Sequence, residues 1–463
     1  MQKTLLFKIL AIIVLTVLIC IPLGIVSHTI TERAQFREQA VASIAADSVR
    51  EQTITGPILV IRYTDDYDEV DKTVDGDTTK SEIMARSVER SHLVFPNELG
   101  IDTSIKTDRR YRGIHQVLVY GGKHFIAGDF VLPSMNELPR ASLKSTLRLG
   151  QASIALGIGD VRGIRNIPKI DWAGNVVEFE QGTGLTSLAG GLHANLPLMA
   201  LAAPARVKFS FVLGLDGIER QHFVPVGKSN KISVKSDWPH PQFSGDFLPS
   251  PSERTINDSG FSATWNISSL STMAQKQLRA AEESVTAPAG ARAANDMFSV
   301  GFIEPVNVYS LAERATKYGL LFVVLTFAAF FVFEILKRLP IHPVQYLLVG
   351  LALVLFFLLL VSLSEHIAFA WAYLFASVGC IVLIVFYLSF VLHNWYRGMG
   401  FGAALTLLYG ALYGLLMSEN NALVLGSILL FTVLAAVMVA TRKVDWYQIG
   451  KADAVPVAPS TFP

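Results

Sequence analysis

The sequence predicts a membrane protein with six transmembrane α-helices, one near the N-terminus and five near the C-terminus, and a large, mainly antiparallel, sandwich-like β domain between them. The hydrophobic fraction of 51% and the mean hydropathy of +0.42 are high for a soluble chain of 463 residues. The charges are also unevenly spread, because residues 28–317 carry 64 charged side chains whereas residues 318–440 carry six. The chain therefore divides into a polar globular part and a membrane part.

The first apolar segment predicts a signal-anchor helix over residues 9–27, preceded by a short cytoplasmic N-terminus at residues 1–8. An uncharged run of this length nearly crosses a hydrocarbon core of ~30 Å. A cleaved signal peptide is the alternative, but the run is longer than a usual signal core and no A-x-A site follows it promptly. A lipoprotein is not favoured, because Ile19 precedes Cys20 where a lipobox needs a small residue.

Five further apolar segments predict a transmembrane bundle over residues 318–440. Each segment is about 18 to 26 residues long, which is enough to cross a bilayer. The predicted spans are residues 318–336, 344–363, 367–392, 400–417 and 422–440. Ser310 and Glu313 match a capping box, which predicts that the second helix starts above the membrane, and Pro343 is placed to start the third span.

The short connections of the bundle predict that both termini are cytoplasmic. Basic side chains lie on one side of the predicted bundle, together with those of the N-terminus: Lys3, Lys8, Lys337, Arg338, Arg397, Arg442 and Lys443. The connections on the other side carry Glu365 and Glu419 but no Lys or Arg. The positive-inside rule then predicts that residues 28–317 lie outside the cytoplasm and that residues 441–463 form a cytoplasmic tail.

The sequence pattern of residues 28–317 predicts a domain that starts with a helix and continues as short strands. Residues 31–50 are rich in Ala, Glu, Arg and Gln, which predicts a helix leaving the first span. From Gly56 onward the pattern has period two with Gly and Pro turns, which favours an antiparallel sandwich. Two hairpins are predicted, one turning at Asp216 and Gly217 and the other at Gly121 and Gly122.

Three segments are predicted to have irregular structure. Residues 65–77 hold seven carboxylates. Alternating Asp residues can bind calcium, but the glycine and terminal glutamate of an EF-hand are absent, so a solvated loop is favoured. Residues 287–296 predict a flexible linker, and the tail after Trp446 predicts disorder.

The sequence carries little that indicates enzymatic chemistry. Both cysteines, Cys20 and Cys380, lie in predicted spans, so the exported domain has no disulfide of its own. No Walker A, GxSxG or SxxK pattern occurs, and the histidines lack metal-ligand spacing such as HExxH. The balance of 39 basic and 38 acidic residues excludes a strongly basic nucleic-acid reader. We therefore predict no catalytic residue, metal, cofactor or nucleic-acid partner.

Three polar residues near the ends of the spans are candidate functional residues: Glu334, Glu365 and His366. Glu334 lies one turn from Lys337 and Arg338, which predicts a local ion pair at the cytoplasmic face. Glu365 and His366 lie together at the outer ends of two spans. Ionisable groups in membranes are functional candidates, although solvation at the rim is the favoured explanation here. The absence of a carboxylate near a helix centre counts against a proton-coupled transporter.

Gly410 and Gly414 form a GxxxG pair in the fifth span. Glycines at this spacing let a neighbouring helix approach closely. Packing within the bundle is favoured, and the alternative is a homo-oligomer in which two copies of the chain meet at these residues.

Several long motifs resemble the CreD family of inner-membrane proteins. They are residues 52–57 (QTITGP), 110–114 (RYRGI), 237–241 (DWPHP), 260–265 (GFSATW), 300–306 (VGFIEPV), 311–319 (LAERATKYG), 333–337 (FEILK), 362–366 (SLSEH) and 444–447 (VDWY). The acidic residues 65–77 and the tail after Tyr447 depart from the family pattern, as does Leu118, where that pattern has proline. The resemblance implies six spans, a large periplasmic domain, and links to envelope integrity, a two-component system and colicin tolerance. It supplies no catalytic residues.

The sequence leaves two functional hypotheses open. The favoured one is a non-enzymatic envelope protein whose β domain binds a wall, lipid or protein partner, while the bundle anchors it in the lipid bilayer. The alternative is a membrane component that moves or extracts a lipid-like molecule with a separate ATPase partner, because the order of spans and outer domain is similar to that of permeases worked by a cytoplasmic ATPase. An enzyme that acts on envelope polymers ranks third.

Overall fold

The computed structural model describes residues 2–75, 78–112, 115–197, 204–283, 296–302, 308–337, 341–391, 395–418 and 421–442. It divides the chain into two compact units. The membrane unit contains Met1–Glu38 and Val306–Pro463, and the β unit contains Gln39–Pro305. The predicted linker up to residue 295 and the tail after Arg442 lie outside the described residues.

The helices begin and end close to the bounds that hydropathy predicts. Within the described residues they are α1 (Gln2–Asp47), α2 (Ala274–Glu283), α3 (Val308–Lys317), α4 (Gly319–Lys337), α5 (Pro343–Ser364), α6 (Phe369–Val391), α7 (Trp395–Met417) and α8 (Ala422–Thr441). Five of them, α1 and α5 to α8, are long and apolar enough to cross a membrane, and α3 with α4, bent by 43°, makes a sixth if the pair is one span. The predicted class, a membrane protein with a β domain, is confirmed.

Two helix boundaries differ in detail from the prediction. The first span and the helix predicted after it form one continuous helix, α1, because good helix formers follow the apolar run without a break. The capping box is wrong: α3 begins at Val308, so Ser310 lies inside the helix, and Glu313 instead pairs with Lys317 at 2.9 Å. Pro343 begins α5 as predicted.

The β unit contains two eight-stranded sheets. The strands are β1 (Gln52–Asp75), β2 (Thr78–Val94), β3 (Glu98–Arg112), β4 (His115–Leu132), β5 (Thr146–Ile158), β6 (Lys169–Trp172), β7 (Asn175–Glu178), β8 (Glu180–Gln181), β9 (Gly191–Asn195), β10 (Ala205–Ile218), β11 (Arg220–Val224), β12 (Ser229–Ser236), β13 (Pro241–Gly245), β14 (Arg254–Asn257), β15 (Gly260–Ser268) and β16 (Phe298–Phe302). The first sheet has the order β13-β16-β11-β1-β5-β9-β8, with β2 also paired to β1, and the second has the order β14-β15-β12-β3-β4-β10-β6-β7.

Most neighbouring strands are antiparallel, as predicted, but the sheets are mixed. β1 pairs with β11 in parallel, and β3 pairs with β12 in parallel. Both sheets contribute side chains to one apolar core, including Ile54 and Phe223 from the first sheet and Ile232 and Trp265 from the second. This shared core is what a sandwich of two sheets requires.

Both predicted hairpins are wrong, because their glycines lie inside long strands. β4 runs through Gly121 and Gly122 and pairs with β3 on one side and β10 on the other. β10 runs through Asp216 and Gly217, and the chain then passes to the other sheet at Glu219, whose φ is 54°. The Tyr120 hydroxyl occupies the place of a β carbon at Gly217, so this glycine permits a close approach and does not mark a turn.

The acidic segment is also not a loop. Residues up to Asp75 belong to β1, which pairs with β2 from Leu59–Val94 to Asp75–Thr78. Residues 76 and 77 lie outside the described residues. Arginines of neighbouring strands pair with three of the carboxylates: Arg90 with Asp65 at 3.0 Å, Arg148 with Asp66 at 2.7 Å and Arg86 with Glu69 at 2.9 Å. These cross-strand pairs offset the repulsion that the sequence alone would suggest.

Candidate functional sites in the membrane unit and the β unit

Glu334 lies near the end of α4, where groups from three segments of the membrane unit contact its carboxylate. Lys8 of α1 forms an ion pair with Oε1, and the Ile341 backbone N–H donates to the same oxygen at 3.4 Å. The Tyr346 hydroxyl of α5 donates to Oε2 at 2.8 Å. The Glu334 side chain is only 6% exposed, and a buried carboxylate needs such partners because a desolvated charge without them is costly.

Glu365 follows α5 and forms a second cluster in the same unit. Tyr309 of α3 donates its hydroxyl to Oε1 at 3.2 Å, and Nε of Arg33 in α1 lies 3.9 Å from that oxygen. His366 is exposed, and its side chain makes no hydrogen bond or ion pair with the described residues. The structure therefore separates these two sequence neighbours, and only Glu365 belongs to a cluster.

The two clusters lie at opposite ends of α5. Between Tyr346 and Glu365, a rise of 1.5 Å per residue gives about 28 Å along the helix axis, which is close to the ~30 Å thickness of a hydrocarbon core. Each cluster combines a carboxylate, a tyrosine and a basic residue of α1, which is Lys8 in one and Arg33 in the other. The arrangement fixes α1 to the other helices of the membrane unit at two levels.

Sequence reasoning found both carboxylates but missed their partners. Lys337 and Arg338 are the local partners that helix spacing predicts for Glu334, and the side chains of both lie outside the described residues. The observed partner Lys8 is separated from Glu334 by 326 residues. Nothing in a local pattern indicates such a pair, although Lys8 and Glu334 both stand out as charges at the ends of apolar segments.

Gly398 and Gly402 are among the glycines of the membrane unit at which a neighbouring helix approaches closely. A β carbon at Gly402 would collide with Val385 of α6, and one at Gly398 would collide with Ser389. Gly410 and Gly414 are exposed, and outside their own helix no described atom lies within 4 Å of an added β carbon at either. The favoured prediction of packing within the bundle at Gly410 and Gly414 is therefore wrong.

The last turn of α1 is held within the β unit by the pair Asp160 and Arg162. Arg162 Nη1 donates to the Ala46 carbonyl at 2.7 Å, at a helix end where carbonyls lack partners in the helix. Hydrogen bonds from Arg162 hold the pKa of the Asp160 carboxyl below its usual value. The Gln52 amide donates to the carbonyls of Asp160 and Asp216 at 3.0 and 2.9 Å. The motif at residues 52–57 thus begins at Gln52, next to the end of α1.

His124 is fully buried in the β unit. Its Nδ1 lies 2.9 Å from Oγ1 of Thr103, and its Nε2 has no hydrogen-bond partner among the described residues. Burial lowers the pKa of His124 to about 3, so the ring is neutral at physiological pH. Among the described residues, no three His, Cys, Asp or Glu side chains lie close enough together to hold a metal ion.

Two solved structures that align with this chain are only weakly similar to it. An M1 zinc metallopeptidase from Deinococcus radiodurans aligns with a TM-score of 0.19 and 8% identity over 37% of this chain and 38% of that chain. A mutant of this enzyme aligns with a TM-score of 0.20 and 8% identity over 44% of this chain and 42% of that chain. Likenesses this low do not indicate a shared fold.

Comparison of sequences gives a much closer match. The family model for the Inner membrane protein CreD matches residues 4–447. The Inner membrane protein CreD of Escherichia coli (strain K12) is 35% identical over 434 residues, which cover 93% of this chain and 91% of that protein. The motifs noted in the sequence and the apolar helices agree with this match. The chain therefore belongs to the CreD family of inner membrane proteins.

Proposed function

We propose that this chain is a non-enzymatic inner-membrane protein that supports envelope integrity. Its β unit binds a component of the envelope, and its membrane unit anchors that unit. Both termini are cytoplasmic and residues 28–317 are periplasmic, an orientation supported by the basic residues near both ends of the chain, by Lys337 and Arg338, and by Arg397 in the first turn of α7.

The observation that carries this proposal is that both carboxylates of the membrane unit are paired and lie at the ends of spans. Glu334 and Glu365 are each held by a tyrosine and a basic residue at the end of a span. Proton-coupled transport usually relies on an ionisable group within the span, and both carboxylates suit the simpler task of fixing α1. Binding then falls to the β unit, which has cavities of about 390 and 430 Å³, within the size range of ligand sites.

Complementation of a strain that lacks this protein tests the proposal. The double variant Lys8→Gln, Glu334→Gln removes both charges of the first cluster, while the new amides can still bond to each other and to Tyr346. If the membrane unit only anchors, the double variant accumulates normally and restores resistance of the envelope to bile salts.

The single variant Glu334→Ala is the matched control. It removes the acceptor of Tyr346 and leaves Lys8 without its partner, so we expect less protein in the membrane. Failure of the double variant to complement at a normal protein level would contradict the proposal and would assign the charges a direct role.

A second candidate function is supported by one feature of the membrane unit. An apolar cavity of about 300 Å³ lies between α1 and α4 and is lined by residues such as Ile12, Val17 and Phe327. Such a cavity could hold an acyl chain, as a component that moves a lipid-like molecule with a separate ATPase requires. Purification in mild detergent separates the candidates, because a stoichiometric ATPase would favour this second function and its consistent absence would favour the first.

A further inference from the structure

A cavity of about 430 Å³ opens in the β unit beside α2. Its wall combines the segment between β2 and β3, the residues at the end of β4, Lys228 just before β12, and the segment that leads from β15 into α2. The residues lining it include Phe95, Pro96, Val131, Pro133, Lys228 and Arg279. All of these belong to the described part of the β unit.

The charged groups of this cavity are all basic. Lys228 and Arg279 line it, and no Asp or Glu side chain is among the lining residues. Neither Lys228 nor Arg279 forms an ion pair with a carboxylate among the described residues. Both side chains are exposed, and an anion bound in the cavity would be attracted to both of them.

The Arg279 side chain is held in place for such a role. Its guanidinium carbon lies 5.2 Å from the centre of the Phe95 ring, and Nη2 donates to the Leu93 carbonyl at 3.4 Å. A guanidinium has five N–H donors, so most of them stay available for an oxyanion. The Lys228 backbone is fixed as well, since its N–H donates to the Pro96 carbonyl at 2.8 Å and its carbonyl accepts from the Ser269 N–H at 2.9 Å.

The cavity also has an apolar side, formed by Phe95, Pro96, Val131 and Pro133. Val131 is 44% exposed there. We infer that this cavity binds an anionic envelope molecule, which presents a phosphate or carboxylate group to Arg279 and Lys228 and rests an apolar part on Val131. The inference rests on the proposed function, because it names the ligand class of the β unit.

Calorimetric titration of the full-length chain in phosphatidylcholine nanodiscs tests this site. The probes are acetate, glycerol 3-phosphate and dihexanoyl phosphatidylglycerol, with glycerol as the probe that lacks an anionic group. Binding of glycerol 3-phosphate identifies a phosphate ligand that needs no acyl chain, and binding of the lipid alone identifies a lipid headgroup. Binding of acetate identifies a carboxylate ligand.

Variants assign the binding to the cavity. Arg279→Gln should weaken the bound probe roughly tenfold or more, because charge-assisted hydrogen bonds of a guanidinium fork are lost. Lys228→Gln should weaken it less, since a single point charge is removed. Lys276→Gln is the matched control, because it removes the same charge from an exposed position of α2 outside the cavity.

Two outcomes would overturn the inference. One is that the wild-type chain binds none of the three anionic probes, and the other is that Lys276→Gln weakens binding as much as Arg279→Gln does. Either result would leave the complementation test with Lys8 and Glu334 unaffected, so the inference and the proposed function fail separately.

Discussion

Mild acid should destabilise the β unit through His124. The folded protein holds this ring neutral, since burial lowers its pKa to about 3, whereas an unfolded histidine has a pKa of about 6.5. Protons therefore bind the unfolded chain more readily than the folded one. The stability that a neutral His124 provides is complete above about pH 6.5 and is lost as the pH falls towards 3.

The size of the effect follows from the two pKa values. At pH 5 the solution is about 1.5 pH units below the pKa of the unfolded histidine. At 1.36 kcal/mol per unit, protonation of the unfolded chain lowers the free energy of unfolding of the β unit by about 2 kcal/mol. At pH 7 the corresponding loss is only about 0.2 kcal/mol. His124 should thus lower the free energy of unfolding by nearly 2 kcal/mol between pH 7 and pH 5.

Urea unfolding of the full-length protein in detergent measures this loss, with the fluorescence of Trp172 and Trp265 as the signal of the β unit. The variant His124→Gln provides the comparison, because glutamine can still contact Thr103 but does not titrate. Groups such as His92 titrate in both proteins, so the difference between them isolates His124. The reasoning is refuted if the variant loses as much stability between pH 7 and pH 5 as the wild type.

Three substitutions test other parts of the structure. Gly402→Leu forces a side chain against Val385 and should destabilise the membrane unit by about 1–3 kcal/mol, which a lower thermal transition in detergent would reveal and an unchanged one would contradict. Gly410→Leu places its side chain in open space, so the variant should fold normally. If two copies of the chain meet at this face, an amine-reactive cross-linker should trap a dimer of the wild type but not of this variant. An equal yield of dimer from both would exclude that contact. Asp65→Asn removes the fully buried partner of Arg90 and should cost about 1–3 kcal/mol in urea unfolding of the β unit, whereas an equal midpoint would argue against the pair.

Helices were predictable because the bilayer limits the sequences that can cross it. The last predicted span, residues 422–440, differs from α8 (Ala422–Thr441) by one residue. A crossing helix needs about 20 uncharged residues, and charges or breaks mark its ends. The bend between α3 and α4 was not predictable from hydropathy, because it changes the direction of the helix and not its composition.

The strand topology was less predictable, because residues that are typical of turns and loops also occur inside strands. Gly121 and Gly122 have the composition of a turn, yet they lie in the middle of β4, where a β carbon at Gly122 would sit 2.7 Å from Nε2 of His124. The acidic residues of β1 have the composition of a loop, yet arginines such as Arg148 come from strands far along the chain. Composition alone does not distinguish these cases.

The candidate site was predicted in part for a similar reason. Glu334 and Glu365 were conspicuous as acids in an apolar region, so the sequence singled them out. Their partners Lys8 and Tyr309 are distant in sequence and come together only in the folded membrane unit. His366 was included because it neighbours Glu365, and adjacency in sequence did not place its side chain in the cluster.

The central claim is that the β unit lies outside the inner membrane while both termini lie inside, and cysteine labelling tests it most directly. Leu143 and Leu270 are 95% and 96% exposed in the β unit, so single cysteines there, in a chain with both native cysteines replaced, report the side on which this unit lies. Cells with a permeabilised outer membrane are treated with a membrane-impermeant maleimide. We expect Leu143→Cys and Leu270→Cys to react at once and Ser460→Cys in the tail to react only after lysis. Reaction of the tail before lysis, or protection of both β-unit cysteines until lysis, would contradict the claim.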